Sequence, residues 1–323
     1  MRKIITILII LLIHTKYSQV TEKNRELISK TLYSRFKNIF EKSNFISKEE
    51  NYKESDFYND TANINQIDSC IKIIRKTAYL EIKKKYNDYS LFFTSKLTHK
   101  YGGQINDHLK INLKKSNLSD ESGRQFSIGN QHNSSNGYEK IEFRTNVKSK
   151  YGSSSHINGE VIYDIRFLID YDIVELTNEN IGEKFILNEC EFKLKAIIQN
   201  KIILEKFCSN GLVLKSINFS FNGMVFKPYS YSELVKLKEK DDSVNLKKSF
   251  SQSTETVYKR VFDIFEKNPN ISFEEFDKIM NIQTLNNLKK EDKYIVINSV
   301  NEFKNKFILY TPIYKTETIS IKI

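Results

Sequence analysis

The sequence predicts an α+β fold: N-terminal helices, a central antiparallel β-meander closing as a sandwich or partial barrel, and a small C-terminal α/β unit. Two apolar stripes at helical spacing lie near the start, at Leu27, Ile28, Leu32, Phe36, Ile39 and Phe40, and at Ile64, Ile67, Ile71, Ile74, Ala78 and Ile82. Apolar residues then occupy the odd positions from Val161 to Ile173, with Asp164, Arg166, Asp170 and Asp172 among the even ones. That alternation suits a strand with one buried and one wet face. Asn210-Gly211 and Asn222-Gly223 separate later apolar runs, and Asn-Gly favours the positive φ angles of a type I′ hairpin turn.

The chain opens with an export signal. Arg2 and Lys3 precede a run of Ile, Leu and one Thr over residues 4–13, followed by a short polar stretch to Gln19. A basic start and an apolar core of about 7–15 residues is what secretion machinery reads, and a run this short does not span a bilayer. Residues 1–19 are therefore expected to be removed, with cleavage after Ser18 or Gln19. No cysteine follows closely, so a lipoprotein is not expected, and no later stretch reads as transmembrane. The expected location is outside the cell, in a periplasm or on the cell surface.

Residues 20–88 read as a helical N-terminal region, with helices over residues 22–42 and 63–84. An antiparallel β domain follows over residues 89–237. Strands are expected at 91–97 and 108–113, around Gly102-Gly103. Residues 114–137 are rich in Ser, Asn, Gly and Gln and read as a long exposed loop. Further strands are expected over 184–198, 202–208, 212–221 and 224–228, so that 158–231 forms a meander of about five strands. A polar linker leads to the C-terminal unit, residues 254–323. There a helix carries Val257, Val261 and Phe265. A second helix covers residues 272–280, with Ser272 and Glu275 in capping-box spacing. Strands follow at 294–297, 307–310 and 317–323.

Net charge is +11, of which Arg2, Lys3 and Lys16 leave with the signal. The excess is mostly lysine; beyond the signal, arginine occurs only at positions 25, 35, 75, 124, 144, 166 and 260. Sequence-specific nucleic-acid readers rely on arginine forks, so specific nucleic-acid readout is not expected. A lysine-rich surface suits an anionic surface or polysaccharide.

No Gly-rich phosphate loop, no G-x-S-x-G and no HExxH or CxxC pattern occurs, so neither a cofactor nor a metal is expected. The segment Phe265 to Phe276 imitates the end of an EF-hand loop, but its glycine position holds Pro269 and its first ligand position Ile264. Asp170 and Asp172 lie about 7 Å apart on the wet face of one strand, which Asp164 shares. Paired carboxylates can serve glycoside hydrolysis. His99 and His108 flank Gly102-Gly103 and form a second candidate polar pair. These five residues are the only candidates for chemistry.

Export implies an oxidising environment, and Cys70, Cys190 and Cys208 leave one pair and one spare thiol. If residues 184–198 and 202–208 pair antiparallel with positions summing to 398, Leu194 meets Leu204 and Cys190 meets Cys208. A Cys190–Cys208 disulfide is expected, with Cys70 free. The resulting reading is an exported non-enzymatic binding or structural protein. The alternative is a secreted hydrolase using the carboxylates or histidines.

Overall fold

A computed structural model describes residues 21–41, 46–53, 64–85, 88–96, 109–134, 141–148, 157–209, 213–220, 223–244, 253–288, 290–304 and 306–323. It is a mixed α+β protein with N-terminal helices and antiparallel sheets, and no barrel closes among the described residues. No described helix is long and apolar enough to cross a membrane. The chain divides into two compact units, each assembled from separate stretches. Unit 1 draws on Met1–Tyr52 and Ile173–Thr311, and unit 2 on Lys53–Asp172 and Pro312–Ile323. This division does not follow the linear partition at residues 88, 237 and 254 that the sequence suggests.

Unit 1 is organised around a five-stranded antiparallel sheet. Its order is β13 (Ser253–Tyr258), β14 (Lys293–Asn298), β10 (Lys201–Lys206), β9 (Cys190–Ile198) and β8 (Lys184–Leu187). The adjacent inner strands β10 and β14 read Ile-Ile-Leu and Tyr-Ile-Val-Ile because both their faces are buried. Ile203, Tyr294 and Val296 enter one core, whereas Ile202, Leu204, Ile295 and Ile297 enter the other. Helices α1 (Glu22–Phe40), α4 (Lys259–Lys267), α5 (Phe273–Ile279) and α6 (Ile282–Leu288) cover the first face. The α1 stripe supplies Leu32, Phe36 and Ile39, all buried. Ser272 and Glu275 cap α5 reciprocally, as their spacing predicts.

Three smaller elements complete unit 1. Strands β1 (Ser47–Asn51) and β12 (Met224–Pro228) form an antiparallel ribbon. Helix α3 (Tyr231–Lys238) follows β12, and its Glu233 joins Lys48 and Glu50 in an ion-pair chain. Strand β11 (Lys215–Asn218) pairs with the first residues of β15 (Phe307–Lys322).

Unit 2 has two layers. One is the sheet β2 (Tyr79–Lys85), β3 (Asp88–Ser95), β6 (Ile141–Lys148) and β5 (Ser127–Ser134). The other holds β4 (Leu109–Asp120), most of β7 (Ile157–Leu176) and the end of β15. Leu91, Phe93 and Phe143 from the first layer meet Val161, Tyr163, Ile165 and Phe167 from the second, together with Ile67, Cys70 and Ile74 of α2 (Ile64–Thr77). The ring of Tyr163 lies 4.9 Å from that of Phe93 and 5.9 Å from that of Phe143. The odd-position alternation of β7 thus faces the core of unit 2.

Four sequence expectations are corrected. The loop expected over 114–137 holds the second half of β4 and all of β5. A bulge between Leu113 and Lys115 inserts Lys114 and reverses the inward parity, from Ile111 before it to Leu118 after it. That break, with the polar run of β5, erases the alternation that marks a strand. The helix expected to reach residue 84 ends at Thr77, and β2 follows; Ile82 fits both a helical step from Ala78 and a strand step from Leu80. The strand expected over 184–198 is the hairpin β8–β9, turned by Asn188 and Glu189 with φ of 49° and 60°. This is I′-type geometry without the glycine that announces it. Finally, the strands of 158–231 do not form one meander, because β7 and β11 join β15 while β12 joins β1.

Candidate functional site

Strand β7 turns its odd side chains inward from Val161 to Phe167, so Glu160, Asp164 and Arg166 fall on the outer face of its layer. The neighbouring β4 sets Asn112 opposite Asp164 and Lys110 opposite Arg166. From β15, Thr318 donates its hydroxyl to Asp164 at 2.6 Å, and Ser320 donates to Glu160. The bulged Lys114 reaches back to Asp164 at 3.2 Å. Burial alone would push the Asp164 carboxyl up, but the hydrogen bonds from Thr318 and Lys114 outweigh it and hold the group below its ordinary value. Asp164 is therefore an anchored carboxylate that ties three strands together.

One step along this face the balance reverses. Lys110 and Arg166 are directly opposed and both exposed. Like charges in that position repel. Among the described residues neither forms an ion pair with a carboxylate. The Lys110 ammonium lies 5.1 Å from the centroid of the Tyr314 ring on β15. The result is an exposed strand face with two opposed cations, one of them over an aromatic ring.

The use of arginine elsewhere sets this in proportion. Arg25 pairs with Asp277, Arg35 with Glu255, Arg75 with Glu317 and Arg124 with Asp120. Arg144, Arg166 and Arg260 have no carboxylate partner among the described residues. Arg144 donates to the Ser90 hydroxyl at 3.1 and 3.2 Å. Arg260 borders a depression of about 210 Å³ together with Asn287, Leu288, Lys290 and Glu291. There Glu291 accepts the backbone N–H of Arg260 in the first turn of α4.

Of the five residues singled out for chemistry, Asp164, Asp170 and Asp172 are described, all on β7. Asp164 is committed as described. Asp170 is exposed and accepts the backbone N–H of Tyr171 at 2.7 Å, and Asp172 is half-buried. Six residues of extended strand place Asp164 about 20 Å from Asp170, beyond the carboxyl spacing of either glycosidase geometry. His99 and His108 lie outside the described residues. Among the described residues no cluster of three His, Cys, Asp or Glu side chains is placed to hold a metal. The expected Cys190–Cys208 disulfide is present, with Cα atoms 5.4 Å apart, and Cys70 is free and buried. Burial pushes the Cys70 thiol up.

Sequence reasoning missed Lys110 and Tyr314. Lys110 sits in an ordinary alternating segment, and its meaning depends on the β4–β7 register. The bulge at Lys114 leaves that register unreadable from spacing alone. The chain matches no known protein family, no characterised protein and no solved structure. Class and function rest on the fold and on this surface.

Proposed function

We propose that the chain is an exported, non-catalytic binding protein, and that the outer face of β4, β7 and β15 holds an anionic polysaccharide. The observation that carries this reading is the opposed pair Lys110 and Arg166, with Lys110 over the Tyr314 ring and neither cation in an ion pair with a described carboxylate, Asp164 nearby being held by Thr318 and Lys114. A polymer carboxylate would relieve the repulsion between the two cations. An exposed strand face suits an extended chain better than a small molecule, which favours concave sites. The lysine-rich composition adds long-range attraction. The Cys190–Cys208 disulfide supports an oxidising destination, in keeping with the apolar run behind Arg2 and Lys3.

Chromatography on immobilised polygalacturonate tests the binding, with a neutral glucan as control. The mature protein should be retained on the acidic polymer only and should elute as salt screens the contacts. The double variant K110Q/R166Q should elute at clearly lower salt. Equal retention on both polymers, or a variant that elutes with the wild type, overturns the reading. N-terminal sequencing of the exported protein tests the leader. A start at residue 19 or 20 is expected, and an intact Met1 refutes export by cleavage.

A further inference from the structure

The second layer of unit 2 carries a similar arrangement on its own outer face. On β3, Leu91 and Phe93 point into the core, so Phe92 points out. The antiparallel register sets Arg144 of β6 directly opposite Phe92. The Arg144 guanidinium carbon lies 5.7 Å from the Phe92 ring centroid, and the Lys83 ammonium of β2 lies 4.8 Å from it. The two bonds to Ser90 fix the guanidinium by its Nε edge and one terminal nitrogen. Lys83 is half-exposed, and its one described carboxylate neighbour is Glu81, at 3.3 Å on the same strand. Such an exposed pair is weak and open to competition from a polymer carboxylate.

Two of the three arginines without a described carboxylate partner therefore fall on the two outer faces of one unit. Each lies on a strand face that also carries a lysine and an aromatic ring. The shared core lies between them, since Tyr163 of one layer touches Phe93 and Phe143 of the other. Packed sheets are separated by about 10 Å, and side chains project outward on both sides. A stiff polysaccharide that lies flat on one face does not reach the other.

We propose that the Lys83–Phe92–Arg144 face is a second site for the same anionic polysaccharide, so that one molecule bridges two polymer chains. This rests on the first face being a binding site. The prediction concerns number and geometry of contacts. A bivalent binder draws polymer chains together near equivalence and releases them when protein is in excess.

Light scattering of soluble polygalacturonate titrated with the mature protein tests this, alongside equilibrium dialysis to count binding sites. Wild type should raise the apparent polymer mass to a maximum at an intermediate ratio and bind two polymer segments per molecule. K83Q/R144Q should bind one segment, a twofold loss, and give no maximum. K83E keeps Arg144 and its bonds to Ser90, so it tests the face without disturbing the sheet, and it should behave in the same way. K110Q/R166Q should likewise bind one segment. A wild type that binds a single segment with no scattering maximum overturns bivalency and leaves the first site standing. K83Q/R144Q and K83E that match wild type also overturn it. No binding by wild type removes both readings.

Discussion

The arginines divide by what answers their charge. Arg25 of α1 makes a two-pronged contact with Asp277 of α5, each nitrogen 2.9 Å from its own carboxylate oxygen. It also donates to the backbone carbonyls of Asp277 and Met280. Both side chains are 21% exposed, which places the pair between the surface and buried limits. Replacing Asp277 with Asn should cost about 1–2 kcal/mol at neutral pH, measured by urea unfolding. The hydrogen bond from Arg25 holds the Asp277 carboxyl below its ordinary value of 3.8. A depressed carboxylate stabilises the fold in full above its unfolded value and loses that contribution as pH falls through the folded one. The difference between wild type and D277N should therefore be constant above about pH 5 and shrink as pH falls below 3.8. A difference that grows on acidification would contradict this assignment. At Lys110 and Arg166 no described carboxylate plays the part of Asp277, and this contrast singles out the proposed face.

At the scale of elements, bulges and turns decide what each strand presents. The β9–β10 hairpin begins with Ile198 opposite Lys201, as a two-residue turn through Gln199 and Asn200 requires. A bulge then absorbs Lys195, so Leu204 meets Leu194 and Lys206 meets Phe192. The expected register holds over the second half of the hairpin, where it brings Cys190 to Cys208, but not near the turn, where Ala196 faces Ile203 and not Ile202. The disulfide spans a sequence separation of 18 residues. Its removal in C190A/C208A should cost about 3 kcal/mol by the chain-entropy argument. Thermal unfolding checks it, and a variant as stable as wild type would show that the pairing contributes nothing. A second constraint lies at Gly159, opposite Leu118, with φ of 141°. A Cβ there would run into the carbonyl oxygen of Asn117. G159A should lose about 1–3 kcal/mol, and an unchanged melting temperature would mean that β7 accepts a side chain at that point.

For the whole molecule, the consequence of interleaving is that sequence neighbours are not always core neighbours. Unit 2 closes only when Ile319 and Ile321 return from the end of the chain to pack against the core of residues 67–167. A fragment spanning 53–172 would lack that strand and leave one side of β7 without its partner β15. Such a fragment should show no cooperative melting by circular dichroism. The same fragment joined by a flexible linker to residues 312–323 should regain it. A fragment 53–172 that melts cooperatively by itself would show that β15 is dispensable to this core.

Much of this protein is legible in the sequence because the signals concerned are local. Helical periodicity marks Leu32, Phe36 and Ile39 as one buried stripe, and period-two alternation marks the inner face of β7. The capping pair Ser272 and Glu275 needs only three residues of context. Cysteine arithmetic and one hairpin register were enough for Cys190 and Cys208. Which strands share a sheet is not local. It depends on the match of faces between segments as distant as β7 and β15, and a single bulged residue such as Lys114 reverses those faces without altering composition. The sequence therefore decided which residues are buried in most elements. Only the tertiary structure decided that Lys110 stands against Arg166 beside Tyr314. Repulsion and its relief act across space, between strands whose order no local pattern records.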